Sequence, residues 1–267
     1  MIAAAGLGGA LLLLAVQPAV APSPVPPSAA APASQFAPPL GQPMTYRVTT
    51  RRLGRDGTLI SFSLTYALQW QRAGRGYQLV ATLQRIDSDA RPEVARALTS
   101  VLQPLVGEPM TYLVAPDGSR VELIDADALW ERAMARTQAL GAAAGQAEAR
   151  YMAELIAALP AEQRSEMASA DIRALVAPAN AAIPASGGAS VSIRHDGAMQ
   201  MVAQVERDSL AASGAEQPLE TDNLWTIDTA TGLVVRDQRQ SWIVEPGSAA
   251  RTLVEERVRA LEPAAKE

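Results

Sequence analysis

The chain contains no cysteine, one histidine and one lysine among its 267 residues, and aromatic side chains make up only 4% of it. Without a thiol there is no cysteine nucleophile, no disulfide, no thiolate metal site and no cysteine to acylate as in a lipoprotein. A single histidine excludes a multi-histidine zinc or iron site. Of the 23 basic residues all but Lys266 are arginine, and 28 acidic residues bring the net charge to −5. That balance offers no basic surface for nucleic acid. Hydrophobic residues amount to 48%, but 53 of the 267 are alanine, about 20%, which leaves about 28% for the bulkier apolar types. This is enough for one ordinary core, not two large ones.

No charged side chain precedes Arg47. Ile2 to Val16 is an uninterrupted apolar run containing four consecutive leucines, followed by the small-x-small pattern Ala19-Val20-Ala21. Residues 1–21 therefore read as a signal peptide for Sec-type export, with an uncleaved inner-membrane anchor facing the periplasm as the alternative. From Pro18 to Pro43 there are nine prolines in 26 residues, mixed with alanine and serine. Such a stretch buries too little apolar surface to offset its ordering entropy, so residues 22–43 are expected to form a disordered, semi-rigid linker. A single domain over 44–261 and a short tail over 262–267 complete the organisation.

Within the domain the dominant signal is alternation with period two, the mark of a sheet covered on one face. Ile60, Phe62, Leu64, Tyr66, Leu68 and Trp70 point one way, and Ser61, Ser63, Thr65, Ala67, Gln69 and Gln71 the other. Met44, Tyr46, Val48 and Thr50 alternate with threonines and arginines in a preceding strand, joined to it through Asp56-Gly57. A two-residue Asp-Gly turn, with positive φ at both positions, suits an antiparallel hairpin. Ala73-Gly74-Arg75-Gly76 leads into a third strand, Tyr77 to Ile86. Asp117-Gly118, Asp196-Gly197, Thr231-Gly232 and Glu245-Pro246-Gly247 repeat this punctuation downstream. The fold class is thus α+β: a strongly curved, half-barrel-like antiparallel meander. A helical insertion at about 126–178 covers one face of it. Asp127 is the expected N-cap of its first helix. Tyr151, Met152, Leu155, Ile156 and Leu159 form a second helical stripe, and Met167, Ile172, Leu175 and Val176 a third that ends before Pro178.

One internal echo is present. Gly41-Gln42-Pro43-Met44-Thr45-Tyr46-Arg47-Val48 and Gly107-Glu108-Pro109-Met110-Thr111-Tyr112-Leu113-Val114 agree at six of eight positions. The flanks do not match, so shared chemistry at the start of a strand explains the agreement better than a duplicated unit.

Candidate reactive groups each have a structural explanation. His195 precedes a hairpin turn, and no serine in a nucleophile elbow is available to it. Asp87, Asp89 and Glu93 sit where the third strand stops before Pro92, as turn and cap chemistry requires. Asp125, Asp127 and Glu131 lack the central glycine and twelfth-position glutamate of a calcium loop and suit a helix start. Ser186-Gly187-Gly188 lacks the lysine of a phosphate loop. Arg47, Arg51, Arg52 and Arg55 concentrate charge on the first hairpin, as on an edge strand that resists pairing, with an anionic head group as the other reading. No catalytic residue, metal ligand or cofactor site is assigned.

The aromatic residues carry the functional hint. Phe62, Tyr66, Trp70, Trp225 and Trp242 all fall on strands and are the candidate lining of an apolar pocket beneath the helical cover. A dry core filled by the same side chains is the alternative.

The apolar leader, the proline spacer, the long alternating strands, the helical insert and the late segment Trp225-Thr226-Ile227-Asp228-Thr229-Ala230-Thr231-Gly232-Leu233-Val234 resemble secreted envelope proteins of Gram-negative bacteria. In architecture these are similar to the half-barrel lipoprotein-carrier (Lol-like) class, in which helices close a curved sheet over a hydrophobic pocket. Two features depart from that pattern: there is no lipidation cysteine, and the insert is longer than a simple lid. The resemblance implies a non-enzymatic periplasmic module whose partner is a lipid or lipoprotein. The alternatives are an envelope structural or protein-interaction role with a filled core, and a carboxylate-based hydrolase. Neither nucleic acid nor a cofactor is expected, and membrane contact runs only through an uncleaved N-terminal segment.

Overall fold

The computed structural model describes residues 36–54, 56–144, 160–180, 190–212, 215–245, 247 and 250–264. The leader, most of the proline spacer, Arg55, the stripe from Tyr151 to Leu159 and Ser186-Gly187-Gly188 lie outside them. Ten strands form one antiparallel sheet, and their alternating sequences account for its length. Five make an N-terminal meander: β1 (Pro43–Leu53), β2 (Leu59–Ala73), β3 (Gly76–Ser88), β4 (Pro109–Val114) and β5 (Val121–Leu123). Five make a second: β6 (Ser190–Asp196), β7 (Met199–Ala212), β8 (Ala215–Asp228), β9 (Leu233–Val244) and β10 (Arg251–Pro263). The first and last strands join the two halves, giving the order β5-β4-β3-β2-β1-β10-β9-β8-β7-β6. The sheet is curved and open, with β5 and β6 as its edges.

Among the described residues three α-helices connect the strands: α1 (Pro92–Leu102), α2 (Ala126–Ala144) and α3 (Ala161–Asn180). Pro92, expected only to end a strand, occupies the first turn of α1, where its missing N–H costs nothing. Asp125, with φ of 53°, precedes α2, and its carbonyl accepts from the Leu129 N–H at 3.0 Å. Asp127 is therefore inside the first turn and not the cap. α3 runs past Pro178, which removes one backbone donor near the helix end and leaves the rest of the ladder intact.

The turns also differ from expectation. Leu53 pairs with Leu59, so Asp56-Gly57 belongs to a longer connection in which Gly57 has positive φ and Asp56 does not. The Asp56 carboxylate instead accepts from the Thr58 N–H (3.2 Å) and hydroxyl (2.7 Å). Asp117 treats Ser119 in the same way, at 3.0 and 2.7 Å. These Asp-Gly pairs work as side-chain-closed turns, not as two-residue hairpins.

β1 is not an edge strand, because β10 returns from the end of the chain to pair with it. The arginines of β1 meet β10 glutamates across the seam, Arg51 with Glu256 at 3.0 Å and Arg52 with Glu255 at 2.5 Å. The ordered domain also begins earlier than residue 44. Phe36, assigned to the linker on composition, is buried and packs edge-on against Trp70 and Tyr77, with ring centroids 5.7 and 5.3 Å away. An aromatic ring recovers enough transfer free energy to hold this part of a proline-rich tract against the sheet.

Candidate functional site: an apolar cavity beneath the helices

Register places Tyr46, Val48, Leu64, Tyr66, Leu68, Trp70, Leu79, Ala81 and Tyr112 on one face of the N-terminal meander. α3 packs there through Ser169, Ile172, Leu175 and Val176, each 3% exposed or less, on a spacing of about one helical turn. Two tyrosine hydroxyls tie this helix to the sheet. Tyr46 donates to the Asp171 carbonyl and Tyr112 to the Ala168 carbonyl, both at 2.9 Å.

These two tyrosines occupy equivalent positions in the sequence echo, and the likeness extends to the backbone. Gly41 and Gly107, at φ of 69° and 80°, donate to the carbonyls of Trp70 and Leu83, both at 2.8 Å. Each glycine turns the chain into a strand whose fourth residue is a tyrosine bonded to α3. The echo was the signal in the sequence for this arrangement.

Between sheet and helices lies a cavity of about 150 Å³. Its floor is Leu64, Tyr66, Ala81, Leu83, Met110 and Tyr112; α2 contributes Leu129 and Trp130, and α3 contributes Ala168, Asp171 and Ile172. Leu102 and Leu105, at the end of α1 and in the turn after it, close one side. The lining is apolar except for Asp171, two tyrosines and Trp130, whose indole Nε1 is buried without a hydrogen-bond partner among the described residues. The volume matches that of an engineered apolar cavity that takes up benzene, so it accommodates a group of that size or a short length of acyl chain.

Asp171 links the cavity to a charged cluster. Its carboxylate accepts from Arg257 Nη2 at 2.6 Å and from Arg259 Nε at 2.9 Å, and Arg259 also pairs with Asp237. Burial pushes the Asp237 carboxyl above its ordinary value, with Arg259 pulling against it. Burial opposes the charge on Arg259, and Asp171, Tyr46 and Asp237 outweigh it. Tyr46, Tyr66 and Tyr112 are all held well above the usual phenol value, chiefly by burial and then by neighbouring groups that include Asp171.

The candidate lining residues do not come together. Tyr66 is on the cavity floor. Trp70, fully buried, belongs to the packed cluster with Phe36 and Tyr77 and does not line the cavity. Phe62 is half-buried farther along β2. Trp225 packs on a smaller cluster of Val202, Ile227 and Val234. Trp242 is on the opposite face, where the Arg251 guanidinium stacks on it at 4.4 Å. That face carries an open polar groove of about 470 Å³, with Arg207, Glu220, Asp222, Gln240 and Arg251 among its walls. Glu220 and Asp222 are each paired with arginine there, Glu220 with Arg207 and Arg251, Asp222 with Arg251.

The remaining sequence candidates are dispersed. His195 is exposed on edge strand β6. Asp87 pairs with Arg85 at 2.8 Å, the Asp89 carboxylate accepts from the Ser61 N–H at 2.5 Å, and Glu93 lies in the first turn of α1. Among the described residues no group of three acidic or histidine side chains is placed to share a metal ion.

No protein family matches the chain, and no curated protein does. Among solved structures, the chain is similar to one described as lipid-protein interactions in lipovitellin, with 9% identity and a TM-score of 0.39. The likeness covers 87% of this chain and 26% of that one, so the chain spans about a quarter of that protein's length.

Proposed function

We propose that the protein is an exported, non-enzymatic envelope module that binds an apolar or amphipathic ligand, a lipid or an acylated protein. The observation that carries this reading is the apolar cavity of about 150 Å³ between the sheet, α2 and α3. A core under selection for stability alone fills such a space, because each cubic ångström of void costs about 24 cal/mol. The leader and its Ala19-Val20-Ala21 pattern support export.

Organic extraction of the purified full chain followed by mass spectrometry tests the binding role, together with calorimetric titration with 1-decanol. Co-purified lipid and saturable binding are the expected result, and Ala168→Leu, which fills the roof of the cavity, weakens binding at least tenfold. Absence of both lipid and saturable binding removes the reading. N-terminal sequencing of the envelope fraction tests the leader: a chain still starting at Met1 replaces cleavage with an anchor.

A second reading is a structural or protein-interaction role in the envelope. The closely packed cluster of Phe36, Trp70 and Tyr77 favours it, since that half of the core is already full.

A further inference from the structure

The cluster beside the cavity carries more positive charge than its own carboxylates satisfy. On the helix-covered face, β10 presents Glu255, Arg257 and Arg259, and the register sets Arg257 directly opposite Arg239 of β9. Like charges in directly opposed positions on one face of a sheet destabilise it. Ion pairs within this group account for every charge but that of Arg239, and Glu206, two strands away on the same face, is not paired with it. Arg52 holds Glu255, Arg259 holds Asp237, and Asp171 is shared by Arg257 and Arg259. Four arginines (Arg52, Arg239, Arg257 and Arg259) thus face three carboxylates (Glu255, Asp171 and Asp237). Arg239 is exposed and has no ion-pair partner among the described residues. Arg257 uses one nitrogen on Asp171, and its Nε is buried without a hydrogen-bond partner among those residues.

Arg257 reaches the edge of the cavity through Asp171, and Arg239 lies one strand farther out. Asp171, the carboxylate that holds Arg257, is itself part of the lining, and Arg257 and Asp171 both act electrostatically on Tyr66 of the cavity floor.

We infer that the ligand is a single-chain amphipath with a carboxylate head, a short length of its hydrocarbon in the cavity and its head group on Arg257 and Arg239. The inference rests on the cavity's being a ligand site, as proposed above. A carboxylate accepts from guanidinium groups in charge-assisted bonds and relieves the repulsion between the opposed arginines. A neutral head group of the same chain length does neither. Part of the attraction is exposed to solvent and so weakens as salt rises.

The test compares decanoate with 1-decanol, both below their aggregation limits, by calorimetric titration of the full chain at pH 7.5. Decanoate is expected to bind about tenfold more tightly at low salt. The ratio falls towards unity at 0.5 M sodium chloride, and also in Arg239→Gln and in Arg257→Gln. Arg239 is exposed, so its variant decides the matter if Arg257→Gln fails to fold. Equal affinity for the two compounds in the unaltered chain overturns the inference and leaves the cavity reading standing. A preference for decanoate that survives both substitutions also overturns it, because the charge is then read elsewhere. Failure of both compounds to bind removes the cavity reading and this inference with it.

Discussion

Tyr46 and Tyr112 show how much depends on single hydroxyl groups here. Each ring is buried and each hydroxyl closes onto a carbonyl of α3. Tyr46→Phe and Tyr112→Phe each cost about 1 kcal/mol, read from the urea midpoint. Their buried phenols also set the alkaline limit of the fold. In the unfolded chain they ionise near 10.0, while in the folded protein Tyr46, Tyr66 and Tyr112 keep their protons above that value. Their contribution is fully present below pH 10 and is lost as pH rises beyond it, at about 1.4 kcal/mol per pH unit for each tyrosine. Stability measured between pH 10 and 11 should therefore fall steeply, and Tyr46→Phe with Tyr112→Phe should remove about two thirds of that slope. Arg259 is the other decisive residue. It lies between Asp171 and Asp237, with little exposure on any of the three side chains. Replacing it with methionine leaves two enclosed carboxylates with reduced compensation, at a cost of about 3–5 kcal/mol by denaturant titration. The echo made the two tyrosines visible as a matched pair in the sequence. Nothing in the sequence indicated Asp171 as the partner of Arg257 and Arg259, because the contact joins residues 86 and 88 positions apart.

At the level of elements, α3 holds the cover in place with few large side chains. Leu175, 1% exposed, supplies one of the largest of them. Leu175→Ala should cost about 2–5 kcal/mol in the urea midpoint, the spread reflecting how far the helix settles onto the sheet. The strands were legible because a covered face forces every second residue to be apolar, and β2 and β3 obey that rule over their buried stretches. The Asp-Gly pairs were legible as turns but not as turn types. At Asp56 and Asp117 the Thr58 or Ser119 that follows the glycine is what diverts the aspartate into closing its own loop. α1 was missed because Pro92 reads equally well as a strand terminator and as a helix start.

At the scale of the whole molecule, the last strand is structurally central. β10 lies between β1 and β9, so the two meanders meet only after the chain is complete. A chain truncated after Val244 loses the strand that joins them. Such a chain should show no cooperative thermal unfolding by far-UV circular dichroism, whereas a chain truncated after Ala264 should unfold like the full protein. Period-two alternation, turn residues and a central helical stretch are local properties, each set by a few neighbouring side chains, so they could be read from the order of residues alone. Which strands become neighbours, and where a space is left between sheet and helix, depends on residues far apart in the chain. Alternation says which face a side chain takes but not what will stand opposite it. For that reason Trp70, Trp225 and Trp242 shared a pattern yet ended in a packed cluster, a smaller cluster and the opposite face. The cavity comes into being only when α2 and α3 dock over β2, β3 and β4, and the arginine cluster beside it only when β10 brings Arg257 and Arg259 to Asp171.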